Sequence, residues 1–202
     1  MAQPQKKFLT LDRFFSSDTA FDSLFPEPIQ RVAAKHWTPL SVAKKAAEFL
    51  SASSCEKVLD IGSGSGKFCL AASYYHPEIT FVGIEQREEL VELSNSLKSR
   101  LKLKNVSFKN ENLSEISLEE YDHFYFYNSF YENIEGTEKI DESVFYSEKL
   151  YDYYNLYLYK QLNKKPAGTR LVTYHSFGNE IPPGYEIVST DFDEYLKFWI
   201  KV

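Results

Sequence analysis

Val58-Leu59-Asp60-Ile61-Gly62-Ser63-Gly64-Ser65-Gly66-Lys67-Phe68 decides how this chain is read: a short apolar run with one acid in it, then a glycine at every second position. A short apolar run bounded by turn residues reads as a buried parallel strand, and the chain beyond it must turn sharply into a helix. Gly62, Gly64 and Gly66 permit that turn because, lacking Cβ, they reach positive φ and let a ligand approach the backbone closely. A helix that begins near Lys67 and continues through Phe68, Leu70, Ala71 and Ala72 points its free N–H groups at whatever sits over the loop. In open α/β sheets that crevice, at the carboxyl ends of the strands, is where ligands bind.

The spacing narrows the choice of ligand. A dinucleotide loop is G-x-G-x-x-G, whereas here the sixth position from Gly62 is Lys67 and the third glycine arrives one residue early. The pattern Asp-x-Gly-x-Gly-x-Gly resembles motif I of the class I S-adenosylmethionine-dependent methyltransferases. That resemblance implies S-adenosylmethionine as cofactor, its sulfonium and amino-acid end over Gly62, Ser63, Gly64 and Gly66, with the Asp60 carboxylate nearby, directly or through water. A glycine-rich turn without a ligand is the bland alternative. A second feature argues against it. Thr80-Phe81-Val82-Gly83-Ile84-Glu85 is another apolar run ending in an acid, one helix-plus-strand unit after Asp60. An acid at that tip is placed to accept hydrogen bonds from both ribose hydroxyls, so Glu85, with Gln86 beside it, reads as a nucleoside site. The same acid would suit NAD, and the glycine spacing decides against it.

The chain has 202 residues, enough for one domain with a substantial core. We expect an N-terminal arm and short helices over residues 1–36 and a methyltransferase domain over 37–202. The net charge of −6 argues against binding bulk nucleic acid by phosphate neutralisation, though not against a nucleic-acid substrate presented locally. Cys55 and Cys69 make no C-x-x-C, no histidine cluster accompanies them, and no metal site is expected. They read as reduced thiols of a cytoplasmic protein. No stretch approaches about 18 apolar residues, so neither secretion nor membrane insertion is expected.

Outside the loop, Asp18 to Val32 reads as a short helix and a turn, broken by Pro26 and Pro28. Thr38-Pro39 is a helix-start signal, with Thr38 as N-cap and Pro39 at the first position of a helix ending near Leu50. His36-Trp37-Thr38-Pro39 resembles the lid that in many class I methyltransferases closes over the methionine end, where the Trp37 ring would face the sulfonium; equally, Trp37 reads as a core anchor and His36 as a surface residue. Glu88 to Leu103 is an amphipathic helix through Leu90, Leu93, Leu97 and Leu101. Val106-Ser107-Phe108 begins a third strand leading to Asn112 and Leu113. By the resemblance, the Asn112 side-chain carbonyl and the Leu113 backbone N–H would hold the adenine, although this position is most often Asp in the family.

A fourth strand over Tyr121–Tyr127 delivers Asn128-Ser129-Phe130-Tyr131 to the crevice edge. This is the motif IV position. Amino-group methyltransferases of DNA and of protein glutamine carry Asn-Pro-Pro-Tyr or similar there, and histone-lysine enzymes of the disruptor-of-telomeric-silencing type carry a related Asn-rich stretch. Asn128 and Tyr131 match the first and fourth positions, while Ser129 and Phe130 replace the prolines. The resemblance makes Asn128 and Tyr131 the candidate catalytic residues; a plain turn-capping Asn128 is the alternative. From about Ser147 to Lys165 a tyrosine-rich stretch keeps helical spacing and reads as packing with polar tips, after a loop of Gly136 to Asp141 over the site. Arg170–His175 is a fifth strand, and Tyr185–Thr190 with Tyr195–Val202 a closing antiparallel hairpin.

The expected fold is therefore a Rossmann-like doubly wound seven-stranded α/β sheet, mostly parallel with an antiparallel strand near the C-terminus. The expected activity is methyl transfer to an amino nitrogen of a protein or small molecule, with nucleic acid and membrane set aside. Two other readings stand beside it: a non-catalytic S-adenosylmethionine-binding module that regulates or docks a partner, and an NAD-dependent oxidoreductase.

Overall fold

The computed structural model describes residues 11–52 and 56–202; Cys55 and the first ten residues of the expected arm lie outside them. The quoted apolar run is β1 (Lys57–Ile61), and it sits mid-sheet. It pairs in parallel with β2 (Thr80–Glu85) on one side and with β4 (His123–Phe126) on the other, with Leu59 opposite both Val82 and Phe124. The full order is β3-β2-β1-β4-β5-β7-β6, with β3 at Val106–Asn110, β5 at Arg170–Tyr174, β6 at Tyr185–Asp191 and β7 at Leu196–Lys201. The first five strands are parallel, and β7 inserts antiparallel between β5 and β6.

Alternation along β1 splits the core between two layers. Val58 packs with Phe68, Val42 and Leu97, from the helices α4 (Leu40–Ser51), α5 (Lys67–Tyr75) and α6 (Glu88–Leu101). Leu59 and Ile61 pack on the other face with Leu158 and Leu162 of α7 (Glu148–Lys164). Residues 18–36 form three short helices, α1 (Asp18–Asp22), α2 (Glu27–Arg31) and α3 (Ala33–His36), in place of the one helix and turn that the sequence suggests. They join the main core through Phe21, Phe25 and Trp37.

Two boundaries differ for identifiable reasons. Helix α4 starts at Leu40, and Thr38 does not cap it. The Thr38 hydroxyl is buried and bonded instead to the Tyr125 hydroxyl at 3.0 Å, while the Leu40 N–H donates to Asp18 Oδ1 at 2.8 Å. A carboxylate from another helix thus serves the orphan donor of this helix start. The α6 helix stops at Leu101 because Lys102 takes a left-handed conformation.

Candidate active site

Parallel pairing brings the strand ends to one edge of the sheet, and a cavity of about 930 Å³ opens there. Trp37, Thr38, Asp60, Gly62, Ser63, Gly64, Glu85, Gln86, Asn112, Leu113, Asn128 and Tyr131 all line it. Gly66 does not. A Cβ there would lie 2.7 Å from the Phe108 ring and from Ser94 Oγ, so this glycine lets α5 pack against α6 and β3, not a ligand approach the loop. At Gly64, with φ +52°, a Cβ would lie 2.5 Å from the Trp37 ring. Trp37 therefore combines two expected roles as a place in the structure: its ring is buried against the glycine loop and lines the cavity, and its Nε1 donates to the Ile29 carbonyl at 2.9 Å. His36 is half-buried on the same wall.

The acid at the tip of β2 is already engaged. Glu85 Oε2 accepts from the Gly64 N–H at 3.1 Å, and Oε1 accepts from the Arg87 N–H at 3.0 Å. Asn112 caps the 3₁₀ turn Leu113–Glu115: its Oδ1 accepts from the Ser114 N–H at 3.0 Å and hydroxyl at 2.8 Å, and its Nδ2 donates to the Tyr154 hydroxyl at 2.7 Å. With both acceptor sites of Oδ1 taken, the expected use of that carbonyl for adenine is not available in this arrangement. Asn128 has φ +35°, a region Asn tolerates better than most residues. Its carbonyl accepts the Tyr131 N–H at 3.0 Å, so its backbone closes the turn, and no hydrogen bond engages its side-chain amide among the described residues. Ser129, in a proline's place, donates to the Ile61 carbonyl at 2.6 Å and packs directly over Gly62.

A family model described as a methyltransferase domain matches residues 52–195. The chain belongs to this family. With it stand the class I fold, the enzyme class and S-adenosylmethionine as methyl donor. Among curated relatives, the tRNA (guanine-N(7)-)-methyltransferase of Synechococcus sp. (strain JA-3-3Ab) is 45% identical over 56 residues, 28% of this chain and 24% of that protein. That of Microcystis aeruginosa (strain NIES-843 / IAM M-2473) is 48% identical over 50 residues, 25% and 24%. The match thus spans about a quarter of these relatives. Among solved structures, the RNA methyltransferase from Salinibacter ruber in complex with S-adenosyl-L-homocysteine aligns with TM-score 0.55 at 20% identity, over 81% of this chain and 91% of that one. TrmN from Thermus thermophilus aligns with TM-score 0.59 at 17% identity, over 85% and 52%. At such identities these two show the fold.

The residues of this methyltransferase fit a cationic nucleoside donor. Burial pushes the Asp60 carboxyl up to about 8; the Cys69 thiol donating at 3.5 Å opposes that rise, and the charge of Glu85 adds to it. Glu85 is also raised by burial, against the pull of Arg87. Both carboxyls are buried in the cavity wall, where a positive charge would favour their ionised forms, and the buried hydroxyls of Ser63 and Ser65 have no hydrogen-bond partner among the described residues. Among the described residues, no group of three metal-ligating side chains occurs and no helix is long and apolar enough to cross a membrane.

Arg87 belongs to no motif of the sequence. Its buried guanidinium donates to both oxygens of Glu132 at 3.0 and 2.9 Å, to Asp141 at 3.2 Å, to the Tyr146 hydroxyl at 2.7 Å and to Glu85 at 3.3 Å. It ties residues 132–146, which contain the expected covering loop, to the acid of β2. Its position two residues after Glu85 is the only local signal. Lys67 is likewise buried, at 3% exposure, and pairs with Asp18 and Asp22 at 2.7 Å each, fastening α1 to the start of α5.

Proposed function

We propose that this methyltransferase moves the methyl group of S-adenosylmethionine to an amino nitrogen. The observation that carries the reading is the Asn128 side-chain amide, unpartnered at the cavity edge at the end of β4. In this reading Asp60 and Glu85 hold the cationic and ribose parts of the donor, and the glycine loop lets it lie against the backbone. The adenine takes the Leu113 edge of the cavity. Asn128 accepts a hydrogen bond from the acceptor N–H and turns the nitrogen lone pair toward the methyl, with Tyr131 flanking it. The displacement gains chiefly from positioning, which reaches ~7–11 kcal/mol in well-oriented systems.

A second reading, transfer to a tRNA base nitrogen, draws on the names of the matched relatives. The net charge of −6 weighs against it, since phosphate neutralisation supplies much of nucleic-acid affinity. The test is transfer of labelled methyl from the donor by the purified protein to cell extract, fractionated into protein, RNA and small molecules. Label in the first or last fraction is expected. Label confined to RNA would move the assignment to the second reading. Asn128→Ala should bind S-adenosylhomocysteine within about two-fold of the parent and transfer about 100-fold more slowly, the scale of losing one positioning contact. A normal rate in that variant would remove Asn128 from the mechanism.

A further inference from the structure

Besides Tyr131, one end of the cavity is built from residues outside the sequence motifs: His175, Phe177, Asp193, Glu194 and Tyr195. The antiparallel pairing of β5 with β7 sets Tyr174 opposite Leu196, so the β6–β7 hairpin tip stands beside the carboxyl end of β5, at the site edge. The tip is fixed there by the His175 N–H donating to the Tyr195 carbonyl at 2.9 Å and by an ion pair from Lys45 of α4 to Asp191. Three consecutive residues of the tip, Phe192, Asp193 and Glu194, have positive φ, as does His175 facing them.

This geometry produces an aromatic collar. The His175 ring stacks on Tyr195 with centroids 4.4 Å apart and meets Tyr174 edge-on at 4.3 Å. Tyr131 and Phe177, which also line the cavity, lie 6.0 Å apart. Tyr131, Phe177 and Tyr195 are 41%, 63% and 54% exposed, so their faces are open to a ligand. Asp193 and Glu194 line the same mouth, and neither takes part in an ion pair among the described residues. Of the cations that line the cavity here, Lys35 pairs with Glu138, and Lys197 feels the charge of buried Glu180 but forms no ion pair among the described residues.

We propose that this collar is the acceptor subsite and that it takes an alkylammonium group, which the aromatic faces and the two free carboxylates attract together. The inference rests on the amino-nitrogen reading and deepens it. Ring faces attract cations, weakly at exposed sites and more strongly as water is excluded. The acceptor enters as R–NH₃⁺ and gives one proton to water at the open mouth. The freed lone pair then forms the N–CH₃ bond as the S–CH₃ bond breaks, leaving a methylammonium product and a neutral thioether.

Two measurements test this on the full chain saturated with S-adenosylhomocysteine or supplied with labelled donor. In the first, NMR titration compares n-butylammonium with 1-butanol. The cation should bind about five-fold or more tightly, and the preference should vanish in Asp193→Asn/Glu194→Gln and fade in high salt. Equal affinity for the alcohol, or no binding of the cation, overturns the proposal, and the salt arm needs no variant. In the second, n-butylamine, a lysine-rich peptide, its N-acetylated form and tRNA compete as acceptors. Label on the free amine or the unacetylated peptide supports the proposal and tells a small amine from a protein side chain. Label on tRNA alone overturns both this inference and the amino-nitrogen reading, whereas amine labelling indifferent to Asp193 and Glu194 overturns only the inference.

Discussion

Gly64 and Asp60 show how single atoms set the properties of the site. At Gly64 a valine would meet the Trp37 ring and would also occupy a left-handed backbone conformation that β-branched residues resist. Gly64→Val should therefore abolish S-adenosylhomocysteine binding in calorimetry, and it should lower the melting temperature as well because Trp37 is a core residue. Retained affinity would show that the ring yields. Asp60 makes a prediction of opposite subtlety. Its folded pKa, about 8, lies far above the unfolded value, so from about pH 4 to 8 the unfolded chain is ionised while the native carboxyl keeps its proton. The native state then binds more protons, and this group makes the ligand-free protein less stable as pH rises through that window. Asp60→Asn should flatten that part of the melting-temperature profile. A cationic donor favours the ionised form, so its binding near pH 7 should release a proton, read as heat that changes with the ionisation enthalpy of the buffer. An identical heat in phosphate and Tris would sink that linkage.

At the scale of elements, Arg87 is the counter-charge for a whole segment. Replacing it by glutamine leaves Glu85, Glu132 and Asp141 facing one another, and breaking a buried pair of this kind costs about 3–5 kcal/mol. Because Asp141 is partly exposed, the lower end of that range applies. Arg87→Gln should speed proteolytic cleavage between residues 134 and 146 and weaken donor binding, whereas Arg87→Lys should restore only part, since a lysine cannot chelate Glu132 with a planar fork. Unchanged cleavage would mean that the loop is held by its own turns. This hub also marks the limit of what is legible in the chain. The strand–loop–helix of residues 58–68, the β2 acid and the closing hairpin are encoded by local period and composition, so the sheet and the position of the glycine loop at its edge can be read directly. Arg87 joins residues up to 59 positions apart, and Thr38 exchanges a cap for a bond to Tyr125, 87 positions away. Such choices are settled by which partners tertiary packing brings together, and no local pattern records them. The stacking of His175 on Tyr195 is illegible for the same reason: it exists only because β7 runs back against β5.

For the whole molecule, the cavity is walled by parts that are otherwise remote: α3 and Trp37 from the N-terminal region, the glycine loop, the Arg87-bound loop and the hairpin tip. A ligand that fills it couples all of them. S-adenosylhomocysteine at about 100 times its dissociation constant adds ~2.7 kcal/mol to stability, which for a chain of this size raises the melting temperature by about 5–10 °C. The distribution of that gain separates the readings of the glycine loop. With the nucleoside on Glu85 and the charged end against Trp37 and Gly64, hydrogen exchange should slow in residues 33–38 and 132–141 together, because the Trp37 ring packs against Gly64 and Arg87 ties the loop to Glu85. The hairpin tip, which belongs to the acceptor side, should keep its exchange rate until an amine is added. NAD at the same concentration should leave both melting temperature and exchange unchanged, since Gly66 is packed against Phe108 and Ser94 and offers no turn for a pyrophosphate. Stabilisation by NAD instead would mean that the loop opens away from β3 to accept it, and that the glycine spacing from Gly62 does not exclude a dinucleotide.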